Sequence, residues 1–196
     1  MTMRTIAGAL LAICLGLSTS SARALTEPPM RFSALIERAN DIVVGTVFDM
    51  NSLERFFGDY ARVVTDVSLV DLQVVKGETE ETEMVVTQLG GQVGDVVEWY
   101  PGLPAFEMDR RYLVFLVRTD LDLAVPIGLQ GLYVIETDPL RALEVVTSAG
   151  GDPVLAVRKD RVEFGVAPDA PEDAGERLAG AMTLEQFLKE IEARLY

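Results

Sequence analysis

Residues 61–76 read ARVVTDVSLVDLQVVK, and the apolar pattern of this run changes phase partway along. The first set of core-type residues lies at odd positions and the second at even positions: Val63, Thr65, Val67 and Leu69, then Val70, Leu72 and Val74. A strand whose buried face changes must bend or contain a β-bulge, as strands do where they pass from one sheet of a barrel to the next. The run therefore predicts a long, bulged strand of a β-barrel.

Strand patterns surround this run on both sides. Residues 41–50 (DIVVGTVFDM) are rich in β-branched side chains and predict a first strand, in which Gly45 marks a bulge or a close packing point. A polar and aromatic loop is expected at 51–60, with Gly58-Asp59 as a hairpin-type turn. Further strands are predicted downstream, with the run at 110–118 as the central, buried one. They cover residues 84–89, 96–100, 110–118, 124–136, 140–147, 154–157 and 161–166. Gly128 and Gly131 are expected bends.

Helical spacing is found near both ends of the chain. Residues 30–39 carry an apolar stripe and predict a short leading helix. Near the other end, Thr183 and Gln186 have the spacing of a capping box, followed by a second stripe. That stripe comprises Leu184, Phe187, Leu188, Ile191 and Leu195. We expect the helix at 183–196 to dock on the barrel, with partner binding as the alternative. An acidic, proline-rich linker is expected at 167–182, between this helix and a barrel domain at 25–166.

The first 24 residues have the pattern of an export signal. Arg4 precedes an apolar run at 6–17, and Ala22 and Ala24 are small residues at the positions that a signal peptidase reads. The apolar run is too short for a membrane-spanning helix, which needs about 20 residues. We therefore expect cleavage after Ala24, no stable membrane insertion afterwards, and a protein that works in the periplasm or outside the cell. An uncleaved anchor and a lipoprotein at Cys14 are the alternatives.

Composition limits the chemistry that the chain can perform. The sequence contains no histidine, and cleavage would remove Cys14, its single cysteine. Serine and cysteine nucleophiles usually depend on an imidazole base, and transition-metal sites are built mostly from imidazole and thiolate. We therefore predict no catalytic residue, no cofactor and no metal site, which leaves carboxylate-only hydrolysis and calcium binding by carboxylates as formal possibilities.

Net charge limits the class of partner. Without the two arginines of the export signal, 15 basic residues stand against 31 acidic ones, a net charge of −16. A field of that sign repels nucleic acids, so we predict that the protein does not bind them. A protein is the expected partner. Trp99, Tyr100 and Phe106 flank a glycine- and proline-rich loop and form the candidate interaction surface, with burial in the core as the alternative.

The order of several short motifs resembles a known group of proteins. Residues 39–47 (ANDIVVGTV) precede a long strand that ends in VVKG at 74–77, and a glycine-containing loop then leads to LVFL at 113–116. Over residues 38–147 this order is similar to that of exported bacterial proteins with an OB-like fold and, more distantly, to the netrin-like domain of the tissue inhibitors of metalloproteinases. Those inhibitors bind the protease zinc through an amino-terminal cysteine. Here the expected first residue is Leu25, so that mechanism does not carry across.

Together these patterns predict a mainly β protein. The expected architecture is an OB-like (netrin-like), partly closed barrel with a short N-terminal helix and a docked C-terminal helix. The expected function is that of an exported, non-enzymatic binding or protein-interaction module. Inhibition or assistance of an exported metalloprotease is the alternative, and a carboxylate-only hydrolase is a third hypothesis.

Overall fold

The structure is a computed structural model that describes residues 30–78, 82–103, 105–165 and 174–195. The predicted export signal with Ala22 and Ala24, and residues 167–173 of the predicted linker, lie outside the described residues. Within the described ranges, no helix has the length and apolar character needed to cross a membrane.

The described chain is mainly β, as the sequence predicts. The strands are β1 (Asp41–Phe57), β2 (Tyr60–Lys76), β3 (Glu83–Leu89), β4 (Gly91–Val93), β5 (Val96–Glu98), β6 (Arg111–Arg118), β7 (Ala124–Pro126), β8 (Leu132–Asp138), β9 (Leu143–Ser148), β10 (Val154–Arg158) and β11 (Arg161–Phe164). The helices are α1 (Phe32–Arg38), α2 (Ala174–Arg177) and α3 (Leu184–Glu192), with a 3₁₀ turn at Leu129–Gly131. The break between β7 and β8 contains Gly128 and Gly131, the two predicted bends.

Seven strands form one sheet that closes on itself in part. Their order is β1-β2-β3-β7-β6-β8-β9, and β6 also pairs with β1. The strands β1, β2, β3, β7 and β6 therefore complete a ring, from which β8 and β9 extend. The pairings are antiparallel except for the short parallel contact between β3 and β7 at Val86 and Ala124. This confirms a partly closed barrel, in which a sheet edge is replaced by strand pairing.

The predicted change of phase in β2 is confirmed as a bulge. Thr46 pairs with Val70, but Val44 pairs with Gln73, so β2 holds one extra residue between these pairs. Asp71, inside the bulge, has a φ of 52°. All four residues of the first predicted set are buried, whereas Leu72 of the second set is only half-buried and Val74 is 37% exposed. The parity of the apolar residues changes where expected, but because of the bulge Leu72 packs against the same core as Val67 and Leu69, so the strand keeps its buried face.

The predicted loop at 51–60 is wrong. Strand β1 continues to Phe57, and the connection to β2 is the two-residue turn Gly58-Asp59, where Gly58 has a φ of 63°. The turn residues were therefore predicted correctly. The polar residues of this stretch support strand pairing instead of a loop, because they pair across the hairpin: Ser52 Oγ lies 2.9 Å from Thr65 Oγ1, and Arg55 donates to Asp66.

The sheet separates two hydrophobic cores. The inner core fills the ring and the outer core lies between the sheet and the helices. Along β6, Tyr112, Val114 and Leu116 belong to the inner core, and Leu113 and Phe115 belong to the outer one. This explains why the apolar run at 112–116 is continuous, since a strand covered on both faces needs no polar side.

The C-terminal segment packs on the outer core. Phe187 and Ile191 of α3 are fully buried there, and Thr183 and Gln186 form the predicted capping box. The described part of the predicted linker differs from the expected exposed segment. Residues 174–177 are helical, and Leu178 and Ala181 are buried against Val145 of β9. The acidic, proline-rich composition of the preceding residues led to the prediction of an exposed linker, although Leu178 and Ala181 are buried.

Candidate functional site

A groove of about 390 Å³ lies where the inner face of the sheet continues beyond the core. Ser52 pairs with Thr65, and Thr65 pairs with Gln88, so these side chains share one face of β1, β2 and β3. The neighbouring row on the same face, Met50, Val67 and Val86, packs in the inner core. The floor of the groove is therefore an outward extension of the barrel interior.

The hairpin β4–β5 lies against this floor because glycine permits a close approach. Gly91 has a φ of 140°, and a Cβ at this position would lie 2.5 Å from both Ser52 Oγ and Thr65 Oγ1. Thr65 Oγ1 also donates a 2.8 Å hydrogen bond to the carbonyl oxygen of Gly90. A larger residue at position 91 would push the hairpin away from β1 and β2, so the glycine-containing loop shapes the groove.

Two of the three predicted interaction residues lie at this groove. Trp99 is 78% exposed, and Tyr100 is half-buried with its hydroxyl donating a 2.7 Å hydrogen bond to Glu98 Oε2. That hydrogen bond raises the pKa of Tyr100 above its ordinary value. Phe106 is 5% exposed and packs edge-on against Tyr112 in the inner core, 5.0 Å between ring centroids. Phe106 is therefore a core residue and is removed from the predicted surface.

Other residues of the groove were missed by the sequence reasoning. Leu89, Val97 and Leu103 are 42%, 65% and 37% exposed, and they surround Trp99 as further lining residues. Gln88 and Gln92 add amide groups. The apolar side chains carry no distinguishing signal in sequence, because an exposed valine in β5 looks the same as a buried valine in β3. Their exposure depends on tertiary structure: Val97 lies in β5, which pairs with β4 in a separate two-stranded sheet.

The groove has the composition of a binding surface. It combines an exposed indole, aliphatic side chains and amide or hydroxyl groups in a concave shape, which is typical of sites that anchor a partner side chain. Glu98 is the one charged side chain among the described residues that line it. A partner group that enters the groove therefore meets mainly uncharged surface, with a single carboxylate beside the tyrosine hydroxyl.

The residues that carry the family resemblance lie elsewhere and have structural roles. Lys76 Nζ donates hydrogen bonds to the carbonyl oxygens of Ile36 and Ala39, at the C-terminal end of α1. Asp41 and Arg118 form a 2.8 Å ion pair between β1 and β6. Opposite charges near helix termini and across paired strands stabilise such contacts. Lys76 attaches α1 to the ring, the Asp41–Arg118 pair connects β1 with β6, and none of these residues lines the groove.

Comparison of the sequence with protein-family models and with curated proteins finds no match.

Proposed function

We propose that this protein is an exported, non-enzymatic binding module whose groove takes an apolar side chain of a partner protein. The observation that carries the proposal is Trp99, which is 78% exposed at the rim of a concave, largely apolar groove. Removing a large aromatic side chain from water is favourable in free energy. An exposed indole beside other exposed apolar residues is therefore typical of a contact surface.

Charge complementarity specifies the partner further. The whole chain has a net charge of −14, and the groove itself carries one carboxylate, on Glu98. A partner segment with an aromatic or aliphatic anchor and flanking lysine or arginine residues would bury the anchor against Trp99. Its basic residues would be attracted by the surrounding negative field.

The proposed fold is an OB-like barrel. In chain order, the ring consists of β1, β2, β3, β6 and β7; around the ring the order is β1-β2-β3-β7-β6. The exchange of the last two strands and the parallel β3–β7 closure support a five-stranded Greek-key barrel of this kind. Folds of this class bind ligands at the sheet face and at loops between strands, and the groove occupies a comparable place.

The test is a peptide selection on the purified protein recovered after export. Random peptides displayed on phage are selected on the wild type, on Trp99→Ala and on Leu140→Ala. Leu140 is the matched control because it is 74% exposed and does not line the groove. We expect the wild type and Leu140→Ala to select peptides with an apolar anchor and basic flanks. For such a peptide, Trp99→Ala is expected to raise Kd by about 30-fold or more, the effect of losing an aromatic anchor.

Thermal unfolding of the same variants separates binding from folding. Trp99→Ala should leave the melting temperature nearly unchanged, because its side chain is exposed. Equal affinity of the wild type and Trp99→Ala would overturn the proposed site, and selection of acidic peptides would overturn the proposed partner chemistry.

A further inference from the structure

A second cavity, of about 290 Å³, lies beside the outer core, where α1, the 3₁₀ turn, β8 and β11 meet. Much of its wall is apolar and belongs to that core or packs against it: Met30, Phe32, Leu35 and Val162. Arg161 and Phe164 of β11 also line the cavity and are exposed, so it opens to solvent beside this strand. The cavity shares no described lining residue with the groove at Trp99 and is therefore a separate site.

The wall of the cavity contains a buried hydroxyl group without a partner. Tyr133 of β8 is 3% exposed, and its hydroxyl forms no hydrogen bond with any described residue. Burial raises the pKa of this hydroxyl, so it stays protonated and can act as a donor. Burying a hydroxyl without a hydrogen bond costs free energy, and folded proteins usually satisfy such groups. A ligand with an acceptor atom would supply the missing partner.

The positive charge of Arg161 is also uncompensated. Arg161 lines the cavity and has no ion pair among the described residues. Of the two acidic residues nearest to it in sequence, Asp160 has its Oδ1 atom 3.8 Å from Arg194 Nε. The other, Glu163, has its Oε2 atom 3.5 Å from Arg158 Nη1. The acceptor that suits the cavity is therefore an anion, and a carboxylate forms strong, charge-assisted hydrogen bonds with such donors.

We propose that this cavity binds a small monocarboxylate with a hydrocarbon body of about eight carbon atoms. A volume of 290 Å³ holds about ten non-hydrogen atoms at about 30 Å³ each, the space that a water molecule occupies in the liquid. The hydrocarbon body lies against the apolar wall. The carboxylate accepts a hydrogen bond from the Tyr133 hydroxyl and is attracted by Arg161. The inference does not depend on the proposed function of the groove.

Titration with octanoate, followed by the NMR signals of the protein's methyl groups, measures this binding on the purified protein recovered after export. For the wild type we expect one saturable site with a Kd of about 1 mM or tighter, as befits a ligand of this size. Octanamide and octylamine are probes of the same chain length. The amide lacks the negative charge and the amine reverses it, so both should bind about tenfold more weakly or not at all.

Tyr133→Phe removes the hydroxyl and keeps the ring. We expect it to raise the Kd for octanoate by about tenfold, the effect of losing a hydrogen bond to a charged group. The melting temperature without ligand should not fall, because the hydroxyl has no partner in the described part of the chain. A purely structural role of Tyr133 would give the opposite pair of results.

Arg161→Glu tests the contribution of charge, with Arg158→Glu as the matched control. Both arginines belong to the β10–β11 hairpin and both changes alter the net charge by the same amount, but Arg158 does not line the cavity. Arg161→Glu should raise the Kd for octanoate by about fivefold or more, and Arg158→Glu should leave it within about twofold of the wild type.

Four results would overturn the proposal. These are no saturable binding of octanoate up to about 10 mM, ten times the expected Kd, octanamide binding as tightly as octanoate, an unchanged Kd in Tyr133→Phe, and equal effects of the two arginine variants. Failure of peptides to bind the groove would leave these measurements unaffected, so the two proposals fail separately.

Discussion

Both halves of the β1–β2 hairpin contain large apolar side chains, but the two halves have different surroundings. In the covered half, residues 41–47 and 69–76, Ile42, Val43 and Val44 are fully buried. In the projecting half, residues 48–68, Phe48 and Phe56 of β1 are more than 60% exposed, whereas Val63 and Val64 of β2, which are bordered by the end of β3, are buried. The covered half is bordered by β6 and by both cores, whereas the projecting half extends past the end of β6. Burial here depends on which strands and helices are adjacent and not on residue type, so stability should be concentrated in the covered half.

The largest expected effect on the free energy of unfolding is at a buried residue of β6, the strand that borders the covered half. It is compared with an exposed residue of the projecting half. Phe115 of β6 is fully buried and pairs with Ile42, and its ring lies 6.2 Å from that of Phe32. Phe115→Ala should reduce the free energy of unfolding by about 3–5 kcal/mol through lost burial and a remaining cavity. Phe56→Ala should change it by less than about 0.5 kcal/mol. Urea unfolding measures both, and equal losses would contradict the comparison.

The next largest effect concerns the attachment of the C-terminal segment to strand β8. Arg177 pairs with Glu136 of β8 and donates a 2.8 Å hydrogen bond to the carbonyl oxygen of Gly151. Both charged side chains are less than 20% exposed. Arg177→Met would leave the Glu136 carboxylate poorly compensated, at a cost of about 1–3 kcal/mol in urea unfolding.

Lys189→Met is the control for that change. It removes the exposed Glu185–Lys189 pair of α3, and no measurable loss is expected because exposed pairs contribute little. A loss as large as that of Arg177→Met would mean that burial does not set the strength of these pairs.

Acid should lower the free energy of unfolding by protonating the carboxylate of Glu136. Burial raises the pKa of Glu136, but the hydrogen bonds and charge of Arg177 and the Thr147 hydroxyl outweigh it, so the pKa is lowered in the fold. A carboxyl group whose pKa is lower in the folded state stabilises the fold at pH values above its pKa in the unfolded chain, which is about 4.3. This contribution is lost as the pH falls through the pKa of the folded state. Stability should therefore decline below about pH 4.

Urea unfolding across pH 2–7 tests this dependence. Glu136→Gln should be less stable than the wild type at neutral pH and should show a shallower decline in acid, because residue 136 no longer titrates. An unchanged acid slope in this variant would assign the decline to other carboxylates.

The smallest of the expected effects concerns α1. Lys76 Nζ donates to the carbonyl oxygens of Ile36 and Ala39, which the end of the helix leaves unpaired. Lys76→Met should cost about 1 kcal/mol, the upper range for a cation at a helix C-terminus. Lys159→Met, at the exposed β10–β11 turn, is the matched loss of charge and should have no comparable effect. Equal stability of the two variants would show that Lys76 does not secure α1.

Local patterns predicted much of the fold and only part of the candidate site. The phase change in β2, the Gly58-Asp59 turn and the Thr183 capping box depend on neighbouring residues, so they were predictable. The loop expected at 51–60 is strand because cross-strand partners 10 or more residues away compensate its polar groups. At the site, Trp99 is exposed in the groove and Phe106 is buried in the inner core, and no local pattern in the sequence distinguishes the two.

The sequence by itself determined the alternation of strands, the bulge, the helix stripes and the absence of histidine, because these follow from the order of residues within short windows. The tertiary structure alone decided that β6 closes the ring with β1, that the inner face extends into a groove, and that residues 48–57 of β1 keep an open edge. These features arise from pairing between distant segments, and a side chain is exposed or buried only after that pairing determines its neighbours.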